Sequence, residues 1–468
     1  VDEYVTIMNL IEGGPAAVAG TLSVKDRITA VGQGTAGPMT DVVGWRIDDV
    51  VQLIRGKGNT VVRLQILPVG AVPGSPEKTL QFTRGKVTLE AQAARKTLRT
   101  SKRDGRELKV AVINVPGFYS DYDAARAGDE NYRSTTNDVR RLLEEARKEK
   151  IDGLVLDLRA NGGGFLPEAQ SLTGLFIDKG PVVQVAFANG EKEVLDDTVK
   201  GTAYDGPLVV LVDRFSASAS EIFAGAIQDY HRGVIVGQRT FGKGTVQNLL
   251  PMSRWSSRPV NGQLTVTIGK FYRVTGESTQ HRGVEPDVAL ASPISLKDVG
   301  ESALDDALPW DRIQSAAFSA DRSHDVDLTS LVAAENRRQT TDADYHWLVQ
   351  DIDAITKLRN QKSLSLNLEQ RRKERTTLEA ERLARENARR SAHGLAPLKA
   401  STEKSDDESG DDAPAAAEKP AAADKATPDR KSPETLPDVQ LDQAVEVVGD
   451  LVTGAASVPS AKSGKSAK

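Results

Sequence analysis

Two short stretches carry side chains able to do covalent chemistry without a cofactor: "FSASASE", residues 215–221, and "TFGKGTVQ", residues 240–247. The first leaves a strand-like "PLVVLV" and passes through small residues into the helical pattern "SEIFAGAIQDY". That path presents a serine at a helix N-terminus, as in a nucleophile elbow, although the G-x-S-x-G spacing is absent. Ser216, Ser218 and Ser220 are equivalent on spacing alone, and N-capping by Ser218 or Ser220 is the simpler role. The second stretch sets Lys243 between glycines. Gly237, Gly242 and Lys243 meet the first seven positions of the nucleotide-binding pattern G-x-x-x-x-G-K-[ST], but Gly244 stands where the Mg²⁺-binding hydroxyl is needed and Thr245 comes one residue late.

A nucleophilic serine needs a base. The histidines are at 231, 281, 324, 346 and 393, and only His231 and His281 fall in the part of the chain that holds the serines. His231 reads as a residue at a helix end, where the dipole favours a positive ring. A lysine can serve instead if it is neutral. Bringing its pKa from about 10.4 to about 7 costs roughly 4 to 5 kcal/mol, so an apolar site without a charge partner is required. The neighbours of Lys243 in sequence are small or apolar, with no acid beside it. A third stretch, "DLRANGGG" (157–164), follows the strand-like "GLVL", and its glycines let backbone N–H groups approach a ligand and stabilise an oxyanion. Alone it is equally well a flexible turn. Serine, lysine and backbone amides together are the apparatus of acyl transfer, which uses neither ATP nor a metal.

Positioning these stretches requires an α/β core. Residues 108–300 alternate continuous apolar runs ("KVAVINV", "DGLVLDLR", "PLVVLVD") with helical patterns, the signature of parallel strands covered on both faces. Ligands of such sheets sit beyond the carboxyl ends of the strands, where all three stretches lie. Residues 1–86 mix short β-like runs with the helical "TDVVGWRIDDVVQLIRG", which Thr40 or Asp41 would cap, giving a small α+β module. The basic, polar 87–107 reads as a connector. Residues 301–400 turn helical, ending in "LEQRRKERTTLEAERLARENARR", whose interleaved glutamates favour a solvated helix with i to i+4 pairs over a nucleic-acid surface. Residues 401–468 are of low complexity: 401–436 reads as a disordered linker, with a short helix, "DQAVEVVGDLV", possible before the end.

The 468 residues allow two or three domains. A net charge of −5 gives no reason to expect nucleic acid, and no apolar run approaches the roughly 20 residues that span a bilayer. The absence of cysteine removes disulfides and thiolate metal sites while leaving the compartment open. The chain opens at Val1, already inside a strand-like "YVTIMNLI", which reads as a processed or truncated N-terminus.

At "VDRFSASASEIFAGAIQDY" and "GVIVGQRTFGKGTVQ", with "DLRANGGG" before and "HRGVEPD" after, the chain closely resembles the C-terminal processing peptidases, a family of Ser-Lys endopeptidases. "DDALPWD" at 305–311 and the helical extension are similar to its larger, tail-specific members. The resemblance spans roughly residues 1–400. It implies Ser218 as nucleophile, Lys243 as general base and Gln247 as the residue that orients the lysine. Asp229 matches an aspartate implicated in activity and is read here as structural, since a carboxylate near Lys243 would raise the pKa that must fall. The backbone N–H groups of Ala219 and Gly164 would form the oxyanion hole. Gly283 and Asp287 would shape a turn.

"EGGPAAVAGTLSVKDRITAVGQ" is similar to the pattern of PDZ domains, with Lys25 where glycine is usual and the carboxylate-binding loop expected upstream not present. The fold expected is thus a parallel-rich α/β protease core (α+β overall) with a PDZ module inserted or tethered, a C-terminal helical region and a disordered tail. The resemblance further implies a bacterial periplasmic, cofactor-free and metal-free enzyme acting on nonpolar C-terminal tails of unfolded proteins. It implies a lipoprotein adaptor as partner, and cell-wall hydrolases or a penicillin-binding protein as substrates. Competing readings are a P-loop nucleotide hydrolase using Lys243, a catalytically silent PDZ scaffold, and a serine hydrolase with His231 as base.

Overall fold

The computed structural model describes residues 4–8, 10, 14–69, 71, 75–85, 93–129, 132–255, 262–320, 322–398 and 436–454. The chain divides into two compact units, residues 1–87 with 361–437, and residues 88–360 with 438–468.

The N-terminal part of the first unit contains β1 (Val5–Thr6), α1 (Pro15–Ala19), β2 (Arg27–Gln33), β3 (Met39–Asp41), α2 (Ile47–Ile54), β4 (Val61–Leu67) and β5 (Lys78–Thr83). The strands form an antiparallel sheet in the order β1-β2-β4-β5, with β3 on β2. Val62, Leu64 and Ile66 alternate inward along β4, and with Ile28, Val31, Val50 and Phe82 they make the core. The helix expected across 40–56 is shorter. Thr40 and Asp41 pair with Val31 and Ala30 as strand, and Gly44 takes φ +78°, so the helix begins only at Ile47.

The second unit begins with β6 (Arg95–Arg103), β7 (Arg106–Asn114), α3 (Tyr122–Arg126), α4 (Thr135–Lys148), β8 (Gly153–Asp157), α5 (Leu166–Thr173), β9 (Gly180–Phe187) and β10 (Lys192–Asp197). It continues with β11 (Leu208–Val212), α6 (Ala219–Asp229), β12 (Val234–Gly237), β13 (Thr245–Pro251), β14 (Gln263–Tyr272) and β15 (Val288–Ala289). Six strands form one sheet in the order β15-β12-β11-β8-β7-β6, parallel throughout except for the β6–β7 hairpin. Every residue of β8 and β11 is buried, as strands covered on both faces must be. A second, antiparallel sheet runs β10-β9-β14-β13.

From Arg95 onward, the polar stretch expected as a connector is therefore part of the core sheet, and its residues 87–92 lie outside the described residues. Asp104 and Gly105, both at positive φ (49° and 77°), close a two-residue turn that folds β6 onto β7. As an edge strand β6 exposes most of its residues, so its composition reads as linker rather than strand.

Four helices follow: α7 (Leu328–Gln339), α8 (Ala343–Arg359), α9 (Leu368–Ala392) and α10 (Val439–Val452). α9 falls in the first unit, buries no residue and carries the Arg375–Glu379 pair at i to i+4. α10 differs from the expectation of a helix in a low-complexity tail. Its Leu441, Ala444, Val445, Val447 and Val448 pack with Leu331 and Tyr345 on one face of the parallel sheet, while α4, α5 and α6 cover the other. A Cβ placed on Gly153 of β8 would lie 2.2 Å from Val448 Cγ1, so only glycine admits the helix there. Of the stretch 401–436, all but the last residue lies outside the described residues. No described helix is long and apolar enough to cross a membrane.

Candidate active site

The serine turn is built by Asp213, the residue after β11. Its Oδ1 accepts hydrogen bonds from the Phe215 and Ser216 amides at 2.9 and 3.0 Å, curling the chain tightly before α6. Ser216 and Ser220 are fully buried, and their hydroxyls donate to Leu158 O and Asn161 O at 2.9 and 2.8 Å. Both are thereby spent on the fold. Ser218 alone of the three is half-buried, and it sits at φ +56°, ψ −112°, a conformation costly for any residue with a Cβ.

The "DLRANGGG" loop is stapled to this turn. Ala160 N donates to Asp213 Oδ1 at 3.0 Å, and Ala217 N donates to Asn161 O at 3.0 Å. Gly163, at φ +101°, backs directly onto the serine: a Cβ there would lie 2.9 Å from Ser218 Cβ and 3.0 Å from Ala219 N. The Gly163 amide is taken by Asn161 Oδ1 at 2.9 Å. Gly164, at φ +145°, is fixed by Phe118, whose carbonyl oxygen would be 2.0 Å from a Cβ. Ala219 N is the first of the orphan amides that open α6.

The lysine loop is joined to the serine by Glu221, which spacing analysis did not single out. Its side chain is fully buried at the third position of α6. Oε2 accepts from Ser218 N at 2.8 Å, as in one half of a capping box, and from Lys243 N at 2.9 Å. Oε1 accepts from Thr240 Oγ1 at 2.6 Å and Gly242 N at 2.7 Å. One carboxylate thus holds the backbones of both candidate catalytic residues. Burial pushes its pKa up to about 7, against the four hydrogen bonds that pull it down. The signal in sequence was an acid three residues after Ser218, but nothing there ties it to a lysine 22 positions further on.

Lys243 is half-buried, and its Nζ donates to Gln247 Oε1 at 3.2 Å, the residue in turn donating to Thr267 Oγ1 at 3.4 Å. No hydrogen bond among the described residues joins Lys243 Nζ to Ser218 Oγ, so the two loops are brought together by their backbones with the dyad itself open. Arg214, fully buried beside the turn, donates to Val299 O at 2.6 Å and also to Thr240 O, bracing the lysine loop.

Of the other candidates, Asp229, His231 and Asp287 are bonded to groups outside this cluster, while His281 and Gly283 back onto the lysine loop. Asp229 ends α6, ten residues beyond Ala219, and is locked to Arg273 through Nε at 3.0 Å and Nη2 at 2.5 Å. Burial raises its pKa while Arg273 opposes the rise. His231 follows it, with Nδ1 2.8 Å from Asp325 Oδ1. His281 is attached to the lysine loop only by its backbone, N to Gly242 O at 2.9 Å, and its Nε2 is buried without a partner among the described residues. Asp287 accepts from Ile235 N and Gln228 Nε2, each at 2.8 Å, and Gly283 takes φ +66° with its amide on Thr279 O. The last two are turn-forming residues in this structure.

Comparison with known proteins places these features in a family. Residues 109–290 match the model of peptidase family S41, residues 294–453 that of the C-terminal domain of tail specific protease, and residues 1–67 that of the PDZ domain. The chain is 40% identical to a tail-specific protease of Haemophilus influenzae over 404 residues, covering 85% of this chain and 55% of that protein. It is 32% identical to a chloroplastic C-terminal processing peptidase of Tetradesmus obliquus over 313 residues, covering 65% and 61%. The chain therefore spans a little over half the length of these relatives. Among solved structures it is similar to a photosystem II D1 C-terminal processing protease, at 30% identity and a TM-score of 0.39 over 62% of this chain and 68% of that one. It is also similar to the PDZ domain of a carboxy-terminal protease from Vibrio cholerae in complex with peptide, at 41% identity and a TM-score of 0.17 over 18% and 84%. With the serine turn, glycine loop and lysine loop all inside the matched core, the chain belongs to peptidase family S41.

Proposed function

We propose that this chain is an ATP-independent serine endopeptidase of the tail-specific, C-terminal processing kind, working through Ser218 and Lys243. The observation that carries the reading is the shared anchor on Glu221, which sets a strained, accessible serine and a lysine on adjoining loops. Ser218 Oγ adds to the scissile carbonyl as Lys243 Nζ takes its proton, and the amides of Ala219 and Gly164 receive the oxyanion. Collapse breaks the C–N bond, with the lysine returning the proton to the leaving amine. Water, deprotonated by the same lysine, then splits the Ser218 ester. Gln247 holds the Nζ when it is not on the serine, so a side-chain swing of Lys243 precedes the first proton transfer. Asp229 enters none of these steps and acts through the ion pair with Arg273.

The same geometry disfavours the nucleotide reading. A phosphate cradle needs outward-facing amides, and those of Gly242 and Lys243 are already committed to an internal carboxylate. The PDZ module would take nonpolar C-terminal tails as an added strand, and the family likeness supports periplasmic protein substrates, an adaptor and a part in turnover of cell-wall hydrolases.

The test compares an unfolded reporter ending in apolar residues with the same reporter ending in Asp-Asp, without ATP or metal, using wild type, Ser218→Ala and Lys243→Ala. Loss of cleavage by at least a thousandfold in both variants, with the apolar tail preferred by wild type, is the expected result. Cleavage surviving Lys243→Ala would overturn the dyad. Indifference to the tail would keep the dyad and remove tail selection from this chain.

A further inference from the structure

α10 reaches the catalytic loops through its N-cap residue. Asp438 caps the helix by accepting from Leu441 N at 3.2 Å, and also accepts a two-pronged hydrogen bond from Arg159, Nη1 to Oδ1 at 2.9 Å and Nη2 to Oδ2 at 2.7 Å. The same guanidinium donates Nε and Nη2 to the buried Asp157 at the end of β8, at 3.0 and 2.8 Å. Arg159 therefore ties the end of a central strand to the start of a helix 279 positions later in the chain.

From Arg159 the path to the nucleophile is short and unbroken. The next residue, Ala160, holds a left-handed φ of 57°, a conformation that a residue with a Cβ keeps only when its surroundings impose it. Asp213 fixes it on one side through the Ala160 amide, and Arg159 anchors it on the other. Asn161 then binds Gly163 N and Ala217 N, and Gly163 lies against Ser218. Other anchors of α10 lead elsewhere: Glu446 and Asp450 pair with Arg103 on the edge strand β6, and Asp450 also with Arg338 of α7.

We propose that Asp438 is a positioning residue for the glycine loop: through Arg159 it holds residues 160–164 against Ser218, so that this one contact at the start of α10 sets the geometry of the oxyanion donors. The role rests on the Ser218–Lys243 reading. It gives the N-cap of α10, and not the rest of the helix, a part in arranging the site without touching substrate.

The test uses the full chain with Asp438→Asn, Asp438→Glu and Glu446→Gln, and Ser218→Ala as the blank. Asparagine caps a helix as well as aspartate, so Asp438→Asn removes the charge while leaving the cap. The variants are compared in steady-state cleavage of an unfolded reporter, thermal unfolding, and amide hydrogen exchange over residues 158–164. Asp438→Asn is expected to lower kcat about five- to tenfold with KM within about twofold, and to speed exchange over 158–164. Asp438→Glu should recover more than half of kcat. Glu446→Gln should lower the unfolding temperature comparably while leaving kcat and that exchange within about twofold. Unchanged exchange in Asp438→Asn, or the same response in Asp438→Asn and Glu446→Gln, would overturn the proposal and leave α10 as a cover for the sheet. Absence of Ser218-dependent cleavage in wild type would sink the reading of the site, while the exchange comparison would still decide whether Asp438 clamps the loop.

Discussion

Helix α6 carries a buried carboxylate at each end, and the two are neutralised differently. Glu221 stands in the first turn, where the helix dipole favours a negative charge, and is surrounded by three amides and a hydroxyl. Asp229 closes the last turn, where the dipole opposes it, and requires the Arg273 guanidinium. A full cation fixes Asp229 as a strut. Neutral donors leave Glu221 within reach of a proton near neutral pH and spread its hold over two separate loops. A carboxylate engaged by dipoles can position a catalytic lysine without presenting it with an ion-pair partner, because it touches the lysine's backbone and not its ammonium.

The contrast is broken most severely at Glu221. Glu221→Gln turns an NH₂ toward the donors and leaves at least one amide unmatched in a buried site, so kcat/KM should fall by at least about a hundredfold in reporter cleavage. Gly163→Ala comes next. A methyl there meets Ala217 O at 2.8 Å and Ser218 Cβ at 2.9 Å, whereas Gly162 has open space around it. We expect roughly a tenfold to hundredfold loss of kcat for Gly163→Ala and a change within about twofold for Gly162→Ala.

A pH series sharpens the comparison further. Protonating Glu221 weakens its grip on the Ser218 and Lys243 amides, so activity should rise as pH rises through about 7. Stability runs the other way. A carboxyl raised from 4.5 to about 7 contributes most below its unfolded value and loses that contribution as pH climbs through its folded one. Wild type should therefore lose thermal stability relative to Glu221→Gln between about pH 5 and about pH 8. The smallest effect on turnover belongs to Asp229→Asn: kcat per folded molecule within about twofold, with about 3 kcal/mol of stability lost to an unpaired Arg273, read by denaturant unfolding. A catalytic collapse in this variant at unchanged stability would make Asp229 more than a strut.

The serine turn, lysine loop and glycine loop were legible because each follows a strand with a distinct local pattern and needs no distant information. The carboxylate that joins the serine turn to the lysine loop was not, since hydrogen bonds to backbone amides leave no trace in the residue types that donate them. β6 escaped notice because an edge strand satisfies only one side of its ladder and tolerates lysine and arginine along most of its length. α10 showed the right apolar spacing, yet its burial depends on a sheet face formed by residues far earlier in the chain, from Val110 to Val288, which local periodicity does not report.

That distance has a consequence for biosynthesis. The last strand of the parallel sheet ends at Ala289 and α10 begins only at Val439, so at ribosomal speeds roughly 10 to 30 s separate the emergence of the sheet from that of its cover. During this interval Val110, Val155, Val209 and Leu211 face outward without the helix that later hides them. Nascent chains should thus present a sticky, incompletely roofed sheet to chaperones, and a copy without α10 would lack the Asp438 contact that holds Arg159. Such a schedule leaves that face of the sheet uncovered until α10 has been made.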